Sequence, residues 1–175
     1  MVGRRALIAI TAFGFFAGAG AVEAQSVQIG PQLSLAEDTD FGIGPRLEIG
    51  LVPAIPGLRF AASFDYFFPD NPTVGGGAAT ADNDYWELNG NLLYGFGIPS
   101  LPGFDPYVGA GINIAHASSV GEIQGVPFDD SDTDAGVNLV GGAQFPIGGL
   151  TPFLEARLEL RDDNQLVVAG GFLFP

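Results

Sequence analysis

The sequence predicts an all-β fold: an eight-stranded antiparallel up-and-down barrel that crosses a membrane with its strands. Three observations carry this expectation. Apolar residues recur at every second position through eight segments, and the connections between segments alternate in length. The polar side of the alternation is built from glycines, amides and a few charges instead of the lysines and glutamates of a water-washed surface. Composition agrees with that reading. The chain has 175 residues, 47% of them hydrophobic and only 15% charged, with 27 glycines and no cysteine. Such a length holds one domain, and such a composition is too apolar for a disordered acidic segment. Acids number 20 against 6 basic residues, all of them arginine. Nucleic acid is excluded as a partner, because neutralising phosphates takes clustered basic side chains. The lack of cysteine excludes disulfides, thiol chemistry and a lipid-anchored thiol.

The first element is an address. Arg4 and Arg5 precede an apolar stretch ending at Val22-Glu23-Ala24, which reads as a cleavable signal peptide over residues 1–24. An uncleaved anchor would need about 20 spanning residues, and this stretch is shorter and rich in glycine and alanine. The barrel is therefore expected over residues 25–175. Its first strand sets Val27, Ile29, Leu33 and Leu35 against Gln28, Gly30, Gln32 and Ser34. The second sets Phe41, Ile43, Leu47, Ile49 and Leu51 against Gly42, Gly44, Arg46, Glu48 and Gly50. Six further strands are read at 58–67, 85–97, 107–117, 136–145, 152–160 and 166–174.

Three connections are short and alike: Val52-Pro53-Ala54-Ile55-Pro56-Gly57-Leu58, Ile98-Pro99-Ser100-Leu101-Pro102-Gly103-Phe104 and Phe145-Pro146-Ile147-Gly148-Gly149-Leu150. They recur with the spacing of one hairpin. The others include two long polar segments, 69–84 and 118–135, expected as loops, and short acidic turns at 36–40 and 161–164. Short turns at one end and long loops at the other give the sidedness of an outer-membrane barrel.

Alternation alone does not say which face points inward, but charge placement does. The fifth strand offers Gly109, Gly111, Asn113 and Ala115 on one side and Val108, Ala110, Ile112 and Ile114 on the other. The uncharged small face makes a poor soluble exterior and suits a crowded interior, so the apolar face should meet lipid. Ten residues at ~3.4 Å, tilted by ~40°, reach about 26 Å, the height of the apolar band. Phe41, Tyr66, Phe68, Trp86, Tyr94, Phe96, Phe145, Phe172 and Phe174 fall near strand ends, where rings favour the interface, although strand propensity also enriches aromatics.

Parity then places Arg46, Glu48, Arg59, Asp65, Glu87, Glu155, Arg157 and Glu159 in the lumen, where they are expected to form an ion-pair network that fills it. A conducting pore is the competing reading. Most of the remaining acids gather in the loops: Glu37, Asp38, Asp40, Asp70, Asp82, Asp84, Glu122, Asp129, Asp130, Asp132, Asp134, Asp162 and Asp163. Asp130, Asp132 and Asp134 alternate as in a calcium loop, but Gly136 comes one place late and no twelfth-position glutamate follows. Diffuse attraction of divalent cations at these acidic loops is expected instead, with no metal centre and no cofactor. His116 and Ser118 share a face near the outer end of the fifth strand. A histidine–serine pair can serve a hydrolase, but no acid partner is assigned, and an interfacial histidine is the simpler reading.

Three motifs, Pro106-Tyr107-Val108-Gly109-Ala110-Gly111-Ile112, Ser131-Asp132-Thr133-Asp134-Ala135-Gly136-Val137-Asn138-Leu139-Val140-Gly141-Gly142 and Leu154-Glu155-Ala156-Arg157, occur in order. On these the chain resembles the outer-membrane protein β-barrel domain family, which includes the outer-membrane protein A barrel, X-type barrels and opacity porins. His116-Ala117-Ser118 resembles, more faintly, the pair in outer-membrane lipid A deacylases. The family resemblance implies that terminal aromatics are read by the barrel-assembly machinery, which points to Phe174, with Phe172 keeping the pattern and Pro175 following. The expected function is that of a monomeric, non-catalytic, porin-like barrel in contact with outer-membrane lipids, structural or acting through its surface loops. The alternatives are a small soluble ligand-binding barrel and a lipid A deacylase-like hydrolase.

Overall fold

The computed structural model describes residues 26–37, 41–51, 54–69, 73–74, 79–123 and 125–175. The expected signal peptide and the loop acids Asp38, Asp40 and Asp70 lie outside them. Strands β1 (Val27–Ala36), β2 (Phe41–Gly50), β3 (Leu58–Phe67), β5 (Ala79–Gly95), β6 (Asp105–Ile123), β7 (Val126–Gln144), β8 (Thr151–Leu160) and β9 (Gln165–Leu173) form the wall, and a short β4 (Thr73–Val74) pairs only with the outer end of β5. Each wall strand is antiparallel to its neighbours. Closure comes from β1 pairing with β9, while β3 pairs with β5 across the loop that carries β4. The expected eight-stranded barrel is therefore present, with β4 as an addition outside it.

Closure matters energetically, because a strand edge in hydrocarbon would leave unpaired N–H and C=O groups costing several kcal/mol each. The seam extends one step past β9, where Ile29 and Phe174 exchange both backbone hydrogen bonds at 2.9 Å.

The two faces sort as the period of two requires. Ile112 is 64% exposed, and Ile29, Leu33, Leu92, Val108, Leu139, Leu154, Leu158 and Phe172 also stand outward. Arg46, Glu87 and Arg157 are buried. A soluble ligand-binding barrel needs the reverse arrangement, so that alternative does not hold. The interior is as narrow as its glycines imply. A Cβ on Gly111 would sit 2.1 Å from the Gly90 carbonyl oxygen, and one on Gly142 would sit 2.6 Å from the Tyr107 hydroxyl.

One expectation is corrected. Much of 69–84 and 118–135 is strand: β5 begins at Ala79, and β6 and β7 form a hairpin paired from Asp105↔Gln144 up to Ile123↔Val126. Beyond the membrane water solvates both faces, so apolar alternation lapses while the backbone ladder continues. Gly125, at φ +81°, supplies a left-handed residue just before β7.

Candidate functional site

The lumen is the site that the strands build. Because inward positions alternate, neighbouring strands deliver their charges at successive heights, and these charges form a continuous column. At the short-turn end Asp105 accepts from Arg59 at 3.0 Å, and Arg59 Nε lies 3.1 Å from Glu48. Glu48 receives Arg46 Nε at 2.9 Å, and the other arm of Arg46 reaches Glu155 at 2.8 Å. Glu155 also lies 3.7 Å from Arg157. Arg157 is fully buried and holds three more carboxylates, Glu159 at 2.7 Å, Glu87 at 3.4 Å and Asp65 at 3.6 Å. Arg161 closes the outer end, 3.2 Å from Glu87 and 3.4 Å from Glu159. All eight residues singled out by parity thus lie on one path.

Neutral groups complete the shell. Asp65 accepts from Gln32 and Ser34, each at 2.7 Å. Gln144 donates to Glu48 at 2.8 Å, and the Tyr107 hydroxyl donates to Glu155 at 2.9 Å. The Arg46 guanidinium lies 4.5 Å from the centre of the Phe153 ring, and that of Arg59 lies 4.9 Å from the centre of Tyr107. Beside the column Asn138 donates to Asn89 and Asn91, both at 2.9 Å. Asp105, Tyr107, Arg161 and Gln144 escaped assignment to the network. Their parity was available: Asp105 and Tyr107 continue the Gly109 and Gly111 face, and Arg161 is the next step after Glu155, Arg157 and Glu159.

At the outer end the column opens into a bowl of about 500 Å³. Tyr85, Arg161 and Gln165 form its floor, and Asp132, Asp134, Asp162 and Asp163 stand round it. Arg161 Nη2 donates to the Tyr85 hydroxyl at 2.6 Å and to Gln165, and Tyr85 donates to Glu87. Asp130, Asp132 and Asp134 sit on extended strand, not on a calcium-type loop.

His116 and Ser118 lie two residues apart near the outer end of β6. His116 Nδ1 lies 2.8 Å from Thr133 Oγ1, and its ring packs on Trp86 at 5.3 Å, while register places Ser118 between Asp84 and Ser131. His116 belongs to an aromatic outer rim in which Phe41 stacks on Phe68 at 6.2 Å and Phe64 meets Trp86 at 5.9 Å. Tyr94, Phe96, Phe145, Phe172 and Phe174 ring the opposite end.

An apolar exterior between two aromatic rims, wrapped round a polar interior and closed through the β1–β9 pairing, defines an integral membrane β-barrel. The chain belongs to the outer membrane protein beta-barrel domain family, whose profile matches residues 6–161, and its place is the outer membrane. Solved structures share the fold. The N-terminal β-barrel domain of Pseudomonas aeruginosa OprF is 16% identical with a TM-score of 0.60, over 85% of this chain and 95% of that one. Neisserial surface protein A is 18% identical with a TM-score of 0.58, over 87% and 99%. A major outer membrane protein from Thermus thermophilus is 14% identical with a TM-score of 0.59, over 85% and 99%. At such identities the likeness is one of fold. No curated protein matches the chain in sequence.

Proposed function

We propose that this protein is a closed, non-conducting outer-membrane barrel with a structural or surface-interaction role, exerted through its acidic outer end and not by catalysis. The observation that supports this reading is the buried column from Asp105 to Arg161. A passage for solute would have to separate guanidinium–carboxylate pairs sealed from water, and uncoupling one such pair costs several kcal/mol. The non-catalytic part is supported by His116, whose Nδ1 meets the neutral Thr133 hydroxyl where a Ser-His-acid set would place a carboxylate. On the same reading residues 1–24 are the cleaved signal peptide and residues 25–175 the mature barrel. Phe172 and Phe174 are the signal taken by the barrel-assembly machinery. The barrel is a monomer, since closure leaves no strand edge for a partner within the membrane. The acidic bowl gathers divalent cations diffusely. Planar-bilayer recording of the folded protein tests the closed lumen: no steady single-channel current is expected, and stable unitary steps that persist across preparations would refute it.

A further inference from the structure

The end of the barrel opposite the acidic bowl carries the three short turns, at 51–57 between β2 and β3, 96–104 between β5 and β6, and 145–150 between β7 and β8. Turns that face water are ordinarily polar. These contain no charged residue, and each presents an aliphatic side chain at its tip: Ile55 is 47% exposed, Leu101 53% and Ile147 68%. The outer end, by contrast, is turned by Arg161, Asp162 and Asp163.

Part of the described backbone of these turns is also sealed. Pro56, Pro99, Pro102 and Pro146 have no N–H to solvate. The N–H groups of Leu58, Leu101, Phe104, Ile147 and Leu150 are bonded within their own turns at 2.8–3.2 Å, with the positive φ of Gly57, Gly103 and Gly148 folding the chain back. The prolines and these bonds lower the number of donors to desolvate, and unbonded donors are what bars irregular backbone from the hydrocarbon. Phe104 packs on Phe145 at 5.6 Å, tying one turn to the next at the lower aromatic rim. A cavity of about 490 Å³ there is lined by Ile98, Leu101, Pro102, Phe104 and Pro146. Its carboxylate, Asp105, is already engaged by Arg59. The turns thus continue the lipid-facing wall without a polar break, in sequence from Phe96 and Phe145 and in space through Phe104.

We propose that these three turns are lipid contacts seated in the phospholipid leaflet, with Ile55, Leu101 and Ile147 below the headgroups. The apolar band of the protein is then deeper at this end than its strands alone, and the turns fix the barrel's depth and tilt.

Because the chain has no cysteine, single labels test this cleanly. Leu101→Cys and Ile147→Cys are spin-labelled in the full folded protein in phosphatidylcholine vesicles, with Ile112→Cys as the lipid-wall reference and Asp163→Cys as the water reference. Heat-dependent gel migration verifies the fold, and Ile55→Cys replaces a turn variant that fails it. The ratio of oxygen to nickel-chelate collisions at the turn labels is expected severalfold above that at 163 and towards that at 112. Ratios equal to the water reference would overturn the proposal and leave a periplasmic protein as the occupant of this face.

Discussion

Arg157 has the most exacting place in the molecule. It is fully buried and faces four carboxylates, Asp65, Glu87, Glu155 and Glu159, within 3.7 Å. The Coulombic gain from such a residue is largely offset by desolvation, so the column adds little net stability over an apolar filling. Removing one member is a different matter, because uncompensated charge stays behind. Arg157→Ala is expected to destabilise the folded barrel by about 3–5 kcal/mol, measured by urea unfolding in lipid vesicles with Trp86 as the fluorophore. Arg157→Lys should recover only part of that loss, since a point charge cannot reproduce the guanidinium fork. A wild-type midpoint for the alanine variant would mean that the carboxylates are compensated some other way. The charges of this network were legible from parity because in a narrow barrel parity is nearly all that decides whether a side chain sees lipid or lumen. Reach was not legible. Asp105 and Arg161 stand at strand ends, where alternation fades, and Tyr107 reads as an apolar strand former until Glu155 is seen beside its hydroxyl.

The β6–β7 hairpin shows where the sequence signal stops and why. From Ala135 outward, β7 pairs with β6 alone, since β8 stops pairing at Val137↔Leu160. Both faces of this stretch meet water, so no apolar period marks it, and its strand character comes from the ladder to β6 and from Gly125. Its outer edge offers unpaired backbone groups to any passing strand, a standing invitation to aggregate. Asp129, Asp130, Asp132 and Asp134 lie along that edge. Four like charges there would be driven together if two molecules paired edge to edge, so the acids guard the edge besides charging the mouth. Changing all four to asparagine is expected to leave the membrane barrel folded but to produce dimers and larger species in detergent, seen as a rise in mass by light scattering. A strictly monomeric variant would show that the hairpin's twist protects the edge without charge.

At the scale of the whole molecule the charge is polarised along the axis. One end carries acids on β5, β6, β7 and the β8–β9 turn, with Arg161 held in the floor of the bowl. The other carries uncharged turns. Between them the column holds Glu48, Asp65, Glu87, Asp105, Glu155 and Glu159 against Arg46, Arg59, Arg157 and Arg161, so the lumen itself is acid-rich. The surface field at the mouth is therefore negative without being focused on one chelating point, because alternate strand residues stand about 7 Å apart. Cations should collect there as an atmosphere. Calcium and magnesium are then expected to raise the unfolding temperature to the same small degree, without saturating sharply. The effect should shrink in strong salt, where the Debye length falls to about 3 Å, less than the spacing of the acids. Differential scanning fluorimetry at low and high sodium chloride measures this. A saturable shift produced by calcium alone would reveal a built site, and no shift with either ion would remove the mouth as a cation collector.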